Sequence, residues 1–214
     1  MDLENLPYEI SGATFGASEV TLLNPDPPTE LVFTKNSTLN TTLLLNGRPR
    51  YKIETVDAAL SKTDIKDLRG RNAENGKVVV KLRKKLLLGD TITFINDEAI
   101  IPSAGRKAMK QREWLVEGRL EDGGPKWTVQ TGFGEFLWRL DPVHRLMLCP
   151  ASNLYQPIVY AQTPSATEPW ALILSPGAEK FCDEIVTSYL IVEGSLREKE
   201  KRAVVYVKAP LRLM

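Results

Sequence analysis

The sequence predicts a mainly β fold, a closed antiparallel barrel of about ten to twelve strands around a buried C-terminal helix. Three observations lead there. First, Phe181–Arg202 carries the one long helical pattern, and its middle is apolar on every side. Ile185, Val186, Tyr189, Leu190, Ile191 and Val192 occupy successive positions around the axis, with no polar face before Glu193. A helix apolar all round has to be enclosed by protein or by lipid. This run is interrupted by Thr187 and Ser188 and falls short of the ~20 apolar residues of a bilayer span. Second, the chain before it divides into short β-prone segments separated by turn residues. Third, apolar and polar residues alternate within those segments, as in strands with one face on a core and one in water. Closing such strands into a barrel removes exposed edges and supplies an interior for the helix.

The elements follow in order. Residues 1–29 are rich in Pro, Gly, Ser and acidic residues and end in Asn24-Pro25-Asp26-Pro27-Pro28. Such a run continues neither a helix nor a central strand, so residues 1–29 are expected to form a loosely packed arm and residues 30–214 a single domain. Leu31–Thr34 is a short strand. Thr41–Leu45 and Arg48–Thr55 are joined by Asn46-Gly47, a pair suited to the positive φ angles of a type I′ hairpin turn. Pro49 then implies an edge or a bulge. Lys62–Arg71 mixes strand and loop. Lys77–Leu88 is β-prone and pairs with Thr91–Ile95 across Gly89-Asp90. Ile100–Gln111 reads as a surface loop. Arg112–Glu121 and Lys126–Thr131 flank the turn Asp122-Gly123-Gly124-Pro125, and Trp114, Val116, Gly118 and Leu120 share one face of the first. Phe136, Trp138 and Leu140 form a matching stripe. Leu146–Cys149, Gln156–Gln162 and Trp170–Ser175 supply further strands, and Ala203–Lys208 a last strand or extended tail.

Composition bounds the function classes. A 214-residue chain with 43% hydrophobic and 26% charged residues is ordinary globular protein. A net charge of +1 is unlike the strongly basic domains that bind nucleic acid. Cys149 and Cys182 alone make no disulfide framework. The opening MDLENLPYEI has neither a basic nor an apolar leader segment, which places the protein in the cytosol or at the inner face of a membrane. The sequons at Asn36 and Asn40 then read as turn chemistry.

Three blocks carry a family resemblance. Leu31–Val56 (LVFTKNSTLNTTLLLNGRPRYKIETV) resembles the opening signature of a domain of unknown function abundant in mushroom-forming basidiomycete fungi. Gly134–Arg139 (GEFLWR) is similar to the family's Gly-x-x-Tyr-x-Trp strand, with Phe136 or Leu137 where Tyr is usual. Asp183–Arg202 is similar to its closing helix. The family is similar in fold to the tubby C-terminal, LURP-one and scramblase-like group. That resemblance implies a barrel around a hydrophobic C-terminal helix and association with phosphoinositides or membranes; fold likeness alone says little about function.

The chemistry-bearing residues are few. His144 and Cys149 are an odd number of positions apart, on opposite faces of a regular strand, so they make no nucleophile–base pair. One histidine and two distant cysteines have no zinc-ligand spacing. Gly132-Phe133-Gly134 is turn chemistry rather than a phosphate loop, and Asp183 and Glu184 suit the positive end of a helix dipole. The basic strands are the functional lead: Lys81, Arg83 and Lys85 recur at every second residue, as do Arg48, Arg50 and Lys52. Each set would line one strand face, suiting lipid phosphates or simply keeping an edge solvated. The expected function is a non-enzymatic binding module for anionic phospholipid headgroups or a protein partner at a membrane surface, with no cofactor, metal or transmembrane segment. One alternative is an enzyme of fungal secondary metabolism with a cleft between His144 and the 100–111 loop. A second is a purely protein-interaction domain.

Overall fold

A computed structural model describes residues 27–56, 61–69, 76–85, 89–95 and 108–208, with side chains to residue 203. The arm expected at residues 1–29 therefore lies outside the described residues up to residue 26, as do residues 100–107 of the expected 100–111 loop and the end of the Lys77–Leu88 run.

Among the described residues, thirteen strands form one antiparallel sheet. In chain order they are β1 (Thr29–Phe33), β2 (Thr41–Leu45), β3 (Arg48–Thr55), β4 (Lys62–Asp67), β5 (Lys77–Arg83), β6 (Thr91–Phe94), β7 (Met109–Lys110), β8 (Leu115–Arg119), β9 (Pro125–Thr131), β10 (Gly134–Asp141), β11 (Arg145–Pro150), β12 (Val159–Gln162) and β13 (Ala171–Leu174). A four-residue helix α1 (Gln111–Trp114) separates β7 from β8, and α2 (Cys182–Lys208) closes the chain. Across the sheet the order is β7-β6-β5-β4-β3-β2-β1-β13-β12-β11-β10-β9-β8. Two meanders are thus joined side by side by the β1–β13 pair, in which Leu31 faces Leu172. The two edges, β7 and β8, are not paired with each other, so the ladder is open and the expected closed barrel is not completed by hydrogen bonds. Only α1 separates them in the chain.

The hairpin chemistry is as local sequence dictates. Asn46 and Gly47 both take positive φ, 50° and 77°, as a type I′ turn requires. Pro49 is exposed and sits at a bulge where the β2–β3 register shifts between Leu43 and Leu44. The bulge lets a residue without an N–H occupy an otherwise central strand.

The sheet curls around α2, whose residues Glu184 to Leu190 are all buried. Polar groups on this helix bond to widely separated parts of the sheet. Trp138 on β10 donates its indole N–H to Ser188 Oγ at 2.9 Å, and Trp170 before β13 donates to the Tyr189 hydroxyl at 2.7 Å. From β3, the Tyr51 hydroxyl donates to Asp183. Ser188 and Thr187, the two polar breaks in the apolar run, also donate back to the carbonyls of Glu184 and Asp183, so neither is buried unpaired. Each large apolar side chain enclosed here, such as Ile185, Val186 or Tyr189, contributes about 1.5–3 kcal/mol.

Three expectations are corrected. Residues 111–114 form a helical turn instead of the start of a strand, which resets the alternation. Leu115, opposite Val129, is the inward residue, and Val116 is 50% exposed; Trp114 is buried from α1, against Phe94. The inward stripe of β10 ends early, because Leu140 lies at the strand's end and is largely exposed. Ala203–Lys208 continues α2 and forms no strand. Extending an existing helix adds one hydrogen bond per residue without a new nucleus, and that outweighs the modest β preference of Val204 and Val205.

Candidate functional site

Beyond Val192, α2 becomes progressively exposed as it leaves the sheet. Its emerging half, the β1–β2 loop and the ends of β4 and β5 enclose a cleft with a cavity of about 340 Å³, at the small end of ligand-site sizes. Leu39, Leu82, Leu190 and Ile191 give it an apolar lining, and Ser37, Thr38, Thr63 and Ser195 line it as well. Four cations, Arg83, Lys84, Arg197 and Lys201, line it together with two carboxylates, Asp90 and Glu198. Gly194 forms part of the helical wall, and a Cβ built there would meet nothing within 4 Å. The bare backbone at that position widens the cleft.

The cations differ in how free they are. Arg83 is spent: it donates to Asp64 at 2.7 Å and to the carbonyls of Thr63 and Leu82. Lys84 pairs with Glu198 at 2.9 Å, both well exposed, and that hydrogen bond holds the Glu198 carboxyl below its ordinary range. Arg197 is held from behind. Its Nε donates to Glu193 Oε1 at 2.6 Å, and its guanidinium lies 4.5 Å from the centre of the Trp170 ring. Its two terminal nitrogens make no hydrogen bond among the described residues. Glu193, 1% exposed, also receives Arg145 at 2.8 Å, and Arg145 reaches Glu200 as well. Two cations thus neutralise one buried carboxylate, as burial requires. Lys201 makes no ion pair among the described residues.

The sequence-predicted basic residues are dispersed by the fold. Of the first set, Lys81 and Arg83 share the outer face of β5, while Lys85 lies beyond the strand end with its backbone N–H bonded to Asp90. Arg83 alone lines the cleft. The second set is split by the β2–β3 bulge. Arg48 is exposed; Arg50 is buried against Asp67 with its guanidinium over the Tyr51 ring; Lys52 pairs with Glu54 at 2.8 Å. The sequence-predicted site set contains none of Lys84, Arg197, Lys201 and Gly194. Gly194 carried a usable signal, since glycine inside a helix costs about 1 kcal/mol against alanine and often marks a packing or functional constraint.

Of the enzymatic alternative's residues, 100–107 lie outside the described residues, and His144 lies in the turn before β11. The His144 ring packs, tilted, against the Tyr160 ring with centroids 4.4 Å apart, and its backbone N–H donates to Asp141. Burial pushes the Cys149 thiol up, against the opposing effect of Arg139, so little thiolate forms at neutral pH. Burial likewise pushes Cys182 up to about 12. No group of three or more His, Cys, Asp or Glu side chains among the described residues is placed to hold a metal ion. No helix among them is long and apolar enough to cross a membrane.

A protein family of unknown function (DUF6593) matches residues 36–198, a span that takes in every strand from β2 to β13 and every residue lining the cleft except Lys201. No curated protein and no solved structure matches the chain. The chain belongs to the DUF6593 family.

Proposed function

We propose that this DUF6593 member is a non-enzymatic binding module that takes the headgroup of an anionic phospholipid in the cleft where α2 leaves the sheet. One observation carries the reading: the apolar side chains of Leu39, Leu82, Leu190 and Ile191 line the same cleft as four cations. Such a layout matches a molecule with a phosphate at one end and hydrocarbon at the other. Arg197, oriented by Glu193 and Trp170, offers its free terminal nitrogens as a preorganised phosphate clamp. Lys84 exchanges Glu198 for the incoming phosphate, and Lys201 and Lys85 add attraction of about 1 kcal/mol each near an anionic surface. This role belongs to the inner face of a membrane, with the protein peripheral to it.

The reading extends to ancestry. The sheet edges approach each other through the short α1, and both meanders bond to α2. These features support a barrel-like relation to the tubby C-terminal, LURP-one and scramblase-like group, and with it the fungal branch that the sequence resembles. Co-sedimentation with vesicles tests the function. Binding should require anionic lipid, fall steeply with salt, and drop at least tenfold in Lys84→Glu/Lys201→Glu with an unchanged thermal melt. Equal binding to neutral vesicles, or full binding by that variant, would overturn the proposal.

A further inference from the structure

The β10–β11 turn breaks a local rule. Turn tips are ordinarily polar, and β-branched residues favour strands over turns. Between Asp141 and Arg145, however, the chain carries Pro142 and Val143. Val143 is 74% exposed, and Leu140, at the end of β10, 42%. The turn that presents them is firmly built. Asp141 Oδ1 accepts the backbone N–H groups of Val143 at 2.9 Å and His144 at 2.8 Å, and Pro142 fixes its own φ. The His144 ring packs against Tyr160. Arg145 takes a left-handed φ of 59°, uncommon for a residue other than glycine, and its side chain is held by Glu193 at 2.8 Å and Glu200 at 3.0 Å. None of these devices needs an apolar tip, and a local rule broken without local gain marks a functional position.

Two connections tie the turn to the cleft. Strand register brings it to the same end of the sheet: the pairs Asp141–Arg145, Gln162–Ala171, Thr41–Ile53 and Lys62–Arg83 all lie at that end, where the cleft opens. Glu193, which anchors Arg145, also accepts from Arg197 of the cleft at 2.6 Å, so the tip and the phosphate clamp hang from one buried carboxylate. The carboxylates of this network are occupied, Asp141 by backbone N–H groups and Glu193 and Glu200 by Arg145, which lessens their repulsion of an anionic surface. We propose that the β10–β11 turn is a membrane-insertion tip, with Leu140, Pro142 and Val143 entering the hydrocarbon edge of the bilayer while the cleft holds a headgroup. The inference rests on the lipid reading of the cleft and adds a second contact, whose strength follows buried apolar area and is not screened by salt. Phe133, before β10, and Tyr155, after β11, are exposed at the opposite end of the same strands and stay in water.

A tryptophan added to the full-length chain reports where each end sits. Val143→Trp and Tyr155→Trp are compared with the parent, whose own Trp114, Trp127, Trp138 and Trp170 are buried. The vesicles are phosphatidylcholine with brominated chains, with and without phosphatidylserine. On the anionic vesicles Val143→Trp should shift its emission to the blue and lose most of the added signal to bromine, and Tyr155→Trp should do neither. Val143→Asp, with an unchanged thermal melt, should weaken vesicle binding about tenfold. Co-sedimentation without quenching in Val143→Trp, or quenching in Tyr155→Trp instead, would overturn the tip and leave the cleft reading standing. Quenching in Val143→Trp together with full binding by Lys84→Glu/Lys201→Glu would support the tip and overturn the cleft. Failure to co-sediment with either vesicle would overturn both.

Discussion

Gly194 links the stability of α2 to the proposed cleft, and one substitution separates the two. Its backbone is ordinary helix and not left-handed, and an added Cβ would meet no atom within 4 Å. Gly194→Ala therefore introduces no clash and removes conformational freedom from the unfolded chain. The expected gain is about 0.5–1 kcal/mol, which for a domain of this size raises the melting temperature by roughly 1–4 °C. Gly194→Leu keeps most of that gain in helix propensity, but its side chain extends into the cavity of about 340 Å³. Thermal and urea unfolding give the first readout, and co-sedimentation with anionic vesicles gives the second. Both variants should be at least as stable as the parent, with binding retained by alanine and lost by leucine. A destabilised alanine variant would refute the reasoning at its base, because the wall would then be packed and not open. Equal binding by both would remove the cleft from the function.

Other consequences are open to the same methods. Burial raises the Glu184 carboxyl to about 7 from 4.5. A carboxyl raised by folding favours the native state fully below pH 4.5 and loses that contribution as pH climbs to 7. Glu184→Gln should therefore flatten the pH dependence in that window and stabilise the protein at pH 8 by up to about 3 kcal/mol, read by urea unfolding at pH 5 and 8; a variant less stable at pH 8 would contradict this. Asp67, lowered by its hydrogen bonds to Arg69 and Arg50 against the effect of burial, acts with the opposite sign. Its contribution is present above its unfolded pKa and is lost as pH falls through the lower folded value, so Asp67→Asn should lower stability at pH 7 and make little difference near pH 2. Glu193→Ala leaves Arg145 and Arg197 without their buried partner and should cost about 3 kcal/mol, with a loss under 1 kcal/mol arguing that water replaces the carboxylate. Ser188→Ala orphans the Trp138 indole N–H and should cost about 1–3 kcal/mol, measurable as a lowered urea midpoint.

Most hairpins were legible because their information is local. Asn46-Gly47 specifies its turn through backbone sterics, and the alternation in β9 and β10 follows from strand geometry. The apolar run Ile185–Val192 announced its own burial. Residues 111–114 were misread because a single helical turn leaves no periodic trace, yet it shifts the inward parity of β8 by one residue. Arg48, Arg50 and Lys52 look equivalent in sequence. The bulge beside Pro49 separates them, and Asp67, from the neighbouring strand, claims Arg50.

The candidate site was nearly invisible for a different reason. Its walls come from distant chain segments, with Leu39 and Leu82 both more than a hundred residues before Leu190. Lys84 is an unremarkable surface lysine until α2 brings Glu198 beside it, and Arg197 is one charge in a charged tail until Trp170 and Glu193 orient it. Turns, strand faces and an enclosed helix follow from forces acting within a few residues. Which cations are spent on partners, and which remain free beside an apolar lining, depends on contacts between distant segments, and these exist only once the sheet has curled around the helix.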